Sequence, residues 1–272
     1  MRTPKFLYHL AMKLSGNNPR VFYAWNLQAQ YRVLRNRLRA TSPMLKTTAK
    51  SKEAYEAYDD REQRDYENRS RLSWYKGRLE NMAFKVSRAH YLAYLYEEID
   101  RLIVPGKLLR ILEVGCGNCI NLVCLKEKYG DLIQLTGLEL SPRRVQVAKG
   151  YFGERLAGAS FHVGSITEPI AEWDDGEFDL VYSMHCLEQI AYRCEDAVQQ
   201  MSRLANHMIV MIEPVFELGN PAQRLYLINS DHNRVLLSSI KELGLKVSRM
   251  EPLDIQSNPL NQSSITVIQK QG

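Results

Sequence analysis

Residues 1–52 contain no aspartate or glutamate, although 31 of the 272 residues in the chain are acidic. Their eleven basic side chains, Arg2, Lys5, Lys13, Arg20, Arg32, Arg35, Arg37, Arg39, Lys46, Lys50 and Lys52, therefore have no local counter-charge. The rest of the chain holds all 31 acids against the 25 basic residues that remain of 36, so it is acidic. No apolar run reaches the roughly 18 residues a membrane-spanning helix needs. Cysteine is scarce: the five residues Cys116, Cys119, Cys124, Cys186 and Cys194 are odd in number and scattered. That pattern excludes a secreted disulfide framework and predicts a reducing, cytoplasmic setting. Cys116 and Cys119 have the spacing of a metal-ligand pair, but no second pair or histidine cluster completes a site, so no metal is expected. Internal repeats and low-complexity segments are absent as well.

An acid-free arm that carries Phe6, Tyr8, Phe22, Tyr23, Trp25 and Tyr31 has several physical uses. Leu27, Tyr31, Leu34 and Leu38 fall on one helical face with arginines around the other, which suits peripheral attachment to an anionic membrane. The same arginines could neutralise phosphates while the aromatics stack on unpaired bases. Arg-rich, acid-poor amphipathic starts also mark import presequences. The fourth use is docking on the acidic part of the chain, its own or that of a second subunit in a homo-oligomer. Ser15-Gly16-Asn17-Asn18-Pro19 divides the arm, and Thr41-Ser42-Pro43 closes its longer helix. Leu72, Trp74 and Tyr75 begin a mixed region, and Ala89–Leu95 reads as a helix packing on a sheet. The turn Val104-Pro105-Gly106-Lys107 marks the expected boundary between an α-helical N-terminal extension, residues 1–105, and a catalytic domain, residues 106–272.

Beyond that turn, Arg110-Ile111-Leu112-Glu113-Val114-Gly115-Cys116-Gly117 reads as a strand that ends in an acid and breaks into a glycine loop. Such glycines permit a tight turn and close approach of backbone N–H groups to a ligand, and the following helix aims its N-terminus at the same crevice. A second strand, Ile133 to Glu139, also ends in an acid, where a carboxylate can accept both hydroxyls of a ribose. Further strands are expected near 160–163, 178–183, 208–212, 246–250 and 264–268, and helices near 119–128, 142–152, 191–204 and 234–243. This alternation predicts an α/β fold of the Rossmann-like, doubly wound kind, with a mostly parallel seven-stranded sheet.

The order Leu-Glu-Val-Gly-Cys-Gly at 112–117, Gly-Leu-Glu-Leu-Ser-Pro at 137–142 and Phe-Asp-Leu-Val-Tyr-Ser-Met-His-Cys-Leu-Glu-Gln at 178–189 resembles the class I S-adenosylmethionine-dependent methyltransferases. The resemblance covers residues 106–272. It implies that S-adenosyl-L-methionine is the cofactor, that Glu113, Gly115 and Gly117 hold its methionine end, Glu139 its ribose, and Ser165 and Ile166 its adenine. Cys116, Leu140 and Ser183 complete the implied contacts. The chain departs from the pattern at Cys119, where a third glycine is common, at Ser165, where an aspartate is common, and at Gln189, where many relatives have histidine. A nicotinamide dehydrogenase shares the strand–turn–helix, but an acid at 113 suits an ammonium better than a pyrophosphate.

Ligands of an open α/β sheet bind outside the carboxyl ends of the strands. His185 follows the fourth strand of that domain and is the first candidate for a base, set against a rim residue satisfied by backbone. The Ser183-Met184-His185-Cys186 sequence lacks the Asn/Asp-Pro-Pro-aromatic motif of adenine-N6 enzymes, and Cys186 lacks the proline beside a cytosine-C5 nucleophile. After Glu213-Pro214, a segment running to Ser230 is too long for a simple loop and predicts a lid or acceptor wall. It leads to Asp231-His232-Asn233-Arg234, similar to an acid-His-x-Arg element of small-molecule and glycan methyltransferases; His232 is the second base candidate, and Asp231 reads equally as a helix cap. The expected acceptor is an oxygen or nitrogen of a small molecule, glycan or lipid-linked intermediate. A nucleic-acid enzyme or binder using the arm, and a noncatalytic interaction module, are the alternatives.

Overall fold

The computed structural model describes residues 67–270, apart from 69 and 231. The readings of the arm and of Asp231 lie outside the described residues. The chain runs through β1 (Ser70–Tyr75), β2 (Arg78–Ala83), α1 (Phe84–Leu102), β3 (Leu109–Val114), α2 (Ile120–Tyr129), β4 (Ile133–Glu139), α3 (Pro142–Phe152), β5 (Ser160–Val163) and β6 (Phe178–Met184). It continues through α4 (Cys194–Leu204), β7 (Ala205–Pro214), α5 (Pro221–Asn229), α6 (Leu236–Glu242), β8 (Val247–Pro252), β9 (Ile255–Gln256) and β10 (Ser263–Gln269).

Seven strands form one sheet in the order β5-β4-β3-β6-β7-β10-β8. The first five are parallel, and β10 runs antiparallel to both of its neighbours. The apolar runs dictate this arrangement, because strands buried on both faces need helices over each face. Alternate residues divide cleanly between two cores. Ile111, Leu180, Tyr182, Val210 and Ile212 pack with Tyr91, Leu92, Leu95 and Ile99 of α1 and with α2. Leu112, Val181, Ile209 and Met211 pack with α4 and α6 on the other side. On α4 the buried residues Cys194, Ala197, Val198, Met201 and Leu204 recur at three- and four-residue spacing, so one stripe faces the sheet.

Two elements were not legible as such. The mixed region is a hairpin whose turn places Lys76 and Gly77 at φ 47° and 76°, the pair of left-handed residues that a two-residue turn between twisted strands requires. This hairpin and β9 make a three-stranded sheet, with Trp74 opposite Gln256 and Tyr75 opposite Ile255. The segment after β7 contains α5, opened by Asn220, whose side chain accepts from the N–H groups of Ala222 and Gln223 while Gln223 reaches back to the Asn220 N–H. That reciprocal cap, with Pro221 at the first helical position, is a helix start written in the sequence. Helix α4 begins at Cys194 rather than near 191, because two 3₁₀ turns, Leu187–Gln189 and Ala191–Arg193, precede it. No helix among the described residues is long and apolar enough to cross a membrane.

Candidate functional site

A cleft of about 690 Å³ opens at the carboxyl ends of β3, β4 and β6. Of the residues singled out from sequence, Gly115, Cys116, Gly117, Glu139, Leu140, Ser165, Ile166, His185 and His232 line it. Glu113 and Ser183 do not; they are 1% and 0% exposed and stand behind the floor.

The glycine loop is held by β4. Gly115 and Cys116 N–H both donate to the Leu138 carbonyl, at 2.8 and 3.0 Å. Gly115 has φ +70°, and a Cβ there would lie 2.3 Å from Cys186 Sγ, so the next loop packs directly on it. Cys119 adopts φ 61° at the start of α2, the left-handed conformation that explains why glycine is common at this position. Its side chain is fully buried, with its sulfur 3.8 Å from that of Cys116. Glu139 is buried and accepts from Gly117 N–H at 2.8 Å and Ser141 N–H at 3.1 Å, with Arg144 3.6 Å away. Each carboxylate oxygen has a second lone pair, which leaves room for sugar hydroxyls.

Behind the loop, Glu113 accepts from the Asn121 amide at 2.6 Å. Burial outweighs that hydrogen bond and the nearby Tyr182 hydroxyl, and pushes the Glu113 carboxyl up to about 8. Asn121 lines the cleft and its Oδ1 is a buried acceptor without a partner. Across from it stands Arg88 of α1, which the sequence did not single out. Its Nε is a buried donor without a partner, while Nη1 donates to His185 Nδ1 at 2.9 Å. Periodicity along α1 marks the buried face but not the cation at its edge, which only the crossing of α1 over the sheet brings to the cleft.

The Arg88 contact decides the state of His185. A guanidinium can only donate, so Nδ1 accepts, and Nε2–H donates to Ser263 Oγ at 2.6 Å. The ring is neutral, and its one lone pair is already engaged. His185 itself sits at φ 57°, with Tyr91 edge-on at 5.0 Å. The turn after it is fixed by Glu213, whose carboxylate accepts from the N–H groups of Cys186, Leu187 and Glu188 at 2.9, 3.0 and 3.2 Å. His232, in contrast, makes no hydrogen bond through Nδ1, which is buried.

Residues 111–207 match the methyltransferase domain family. Over these residues the match and the relatives support a class I S-adenosylmethionine-dependent methyltransferase family. It is 30% identical over 157 residues to ajmaline N-methyltransferase of Rauvolfia serpentina, covering 54% of this chain and 52% of that protein. It is 34% identical over 91 residues to ubiquinone biosynthesis O-methyltransferase of Xanthomonas campestris, covering 33% of this chain and 35% of that one. The chain spans about half the length, or less, of these relatives. In fold it is similar to geranyl diphosphate C-methyltransferase from Streptomyces coelicolor, with a TM-score of 0.56 at 12% identity over 83% of this chain and 99% of that one. The seven-stranded sheet is thereby the Rossmann-like one expected from the sequence.

Proposed function

We propose that this chain is an S-adenosylmethionine-dependent methyltransferase acting on an oxygen or nitrogen of a small molecule, glycan or lipid-linked intermediate. One observation carries the cofactor reading: the floor of the cleft leaves a buried acceptor, Asn121 Oδ1, and a buried donor, Arg88 Nε, both without partners. A zwitterionic methionine tail supplies the complement of each, an ammonium for the amide oxygen and a carboxylate for the guanidinium. Gly115, Cys116 and Gly117 would let that tail approach the backbone, and Glu139 and Leu140 would hold the ribose. Ser165 and Ile166 would flank the adenine. Glu113 and Ser183 would act from behind the floor, Glu113 through its bond to Asn121.

When bound, the cofactor supplies a methyl group on a sulfonium, so alignment of the acceptor does much of the work. His185 would align rather than take a proton, because Arg88 and Ser263 occupy both of its nitrogens. His232 would be the base. The names of the relatives, which include N- and O-methyltransferases, support a nitrogen or oxygen acceptor.

Calorimetry tests this reading without an acceptor. Glu139→Ala should weaken S-adenosylhomocysteine binding by about 1.5–3 kcal/mol, the worth of hydrogen bonds to a charged group. Arg88→Ala should weaken it comparably, and should leave binding of 5′-methylthioadenosine, which has no methionine tail, unchanged. No measurable S-adenosylhomocysteine binding to the wild type would sink the reading.

A further inference from the structure

Two distant parts of the chain meet at Asn233. Its N–H donates to the Glu188 carbonyl at 2.8 Å, and its side-chain amide donates to the Leu187 carbonyl at 3.2 Å. The residue before it is thereby registered against Glu188: His232 Nδ1 lies 4.0 Å from Glu188 Oε2, is buried, and has no hydrogen bond. The Tyr226 ring meets the His232 ring nearly at right angles, with centroids 5.7 Å apart. Nε2 makes no hydrogen bond to any of the described residues, and the side chain lines the cleft. Glu188 is oriented in turn, since Asn261 Nδ2 donates to the same Oε2 at 2.8 Å. Glu213 behind it has its carboxyl pushed up to about 8 by burial and by the charge of Glu188.

We infer that Glu188 is the positioning residue of an imidazole–carboxylate pair in which His232 Nε2 takes a proton from the acceptor, which therefore presents an O–H or N–H at the methylated atom. The inference rests on the methyl-transfer reading of the cleft. A carboxylate at Nδ1 selects the Nδ1–H tautomer and leaves the Nε2 lone pair facing the cleft. As the acceptor's lone pair forms the bond to the methyl carbon, the carbon–sulfur pair returns to sulfur. The acceptor's proton passes to Nε2, and the imidazolium so formed is stabilised by Glu188 before it releases the proton to solvent. The 4.0 Å gap is one that a small side-chain rotation closes, as is common in sites without their ligands. His185, the other histidine lining the cleft, does not combine an accessible nitrogen with a carboxylate behind it, because Arg88 and Ser263 engage its ring nitrogens.

Nitrogen-15 histidine spectra of the full chain, with His232 assigned through His232→Gln, read the tautomer directly and need no acceptor. In the wild type the Nδ1–H form of His232 should exceed the Nε2–H form by about tenfold, the preference a charge-assisted hydrogen bond confers. Glu188→Gln should erase that preference, because an amide can donate as well as accept, and Glu188→Asp should restore part of it. An Nε2–H wild type, or an unchanged tautomer ratio in folded Glu188→Gln, would overturn the inference. The first of these outcomes needs no substitution at Glu188, so a Glu188→Gln chain that fails to fold does not shield it. S-adenosylhomocysteine titrated into the same wild-type sample separates the two claims: failure to bind defeats the methyl-transfer reading whatever the tautomer.

Discussion

Gly115 shows how much of this site is decided by a single missing Cβ. The position has φ +70°, and an added Cβ would fall 2.3 Å from Cys186 Sγ and 2.7 Å from its Cβ. Cys186 cannot step aside, because its N–H is bound to the Glu213 carboxylate at 2.9 Å. Gly115→Ala should therefore destabilise the fold by about 2–5 kcal/mol, combining left-handed strain with overpacking. Gly117 has φ +54° but meets only the end of the Arg144 side chain, at 3.2 Å. Gly117→Ala should cost about 1–3 kcal/mol from strain alone. Urea unfolding of the two variants measures the difference, and equal losses would show that the Cys186 clash is relieved elsewhere.

Among the elements, α1 has the largest role that its sequence does not announce. It caps one face of the sheet, supplies Arg88 to the cleft, and pins the chain between β8 and β10. Tyr94 OH donates to Asp254 at 2.8 Å, and Ser257 N–H donates to Tyr91 OH at 2.8 Å. Its link to β8 is Glu98, fully buried, which accepts from Arg249 at 2.8 Å and from Arg101 at 2.6 Å. Glu98→Ala should cost about 1–3 kcal/mol, because it leaves Arg249 without its buried acceptor. The Arg249 head is 23% exposed, so water compensates part of the loss. Glu251→Ala, at a partner that is itself 48% exposed, should cost less than about 1 kcal/mol. Chemical denaturation distinguishes the two, and a larger loss for Glu251 would mean that the buried acid is the weaker anchor.

At the scale of the whole molecule, two buried acids set the pH dependence of stability. Burial, the largest cause for both, raises Glu113 and Glu213 from 4.5 to about 8. In the window between those values the folded chain binds more protons than the unfolded one, so stability falls as pH rises from about 4.5 to about 8. The slope approaches about 1.4 kcal/mol per pH unit for each group. Glu213→Gln should flatten it by one group's share when unfolding is followed at pH 6 and pH 8. A slope of opposite sign across that window would show that the carboxyls are charged in the fold. The basic arm belongs to this scale too: residues 1–52 carry eleven positive charges and no acid. Deleting residues 1–40 should preserve cofactor binding while abolishing retention on anionic vesicles or nucleic acid at low salt. If the arm docks on its own chain or a second subunit, the deletion should instead lower the melting temperature or change the oligomeric mass.

The sequence by itself determined the doubly wound sheet, because near-continuous apolar strands alternating with amphipathic helices bury both faces in only one way. It also marked residues that meet at the cleft: Gly115, Gly117 and Glu139 line it, while Glu113 stands behind its floor. A further local signal lies at Asn220-Pro221 and Gln223, where a capping box announces α5 inside the expected lid. What only the tertiary structure decided is which polar atoms remain free. His185 and His232 are both histidines after strands or lids, and no pattern along the chain separates them. Arg88, ninety-seven positions from His185, takes the lone pair of one, and Glu188, brought in by Asn233, stands behind the other. Hydrogen-bond donors and acceptors are paired through space, so their availability becomes defined only when α1, the turn after β6 and the turn before α6 have packed together.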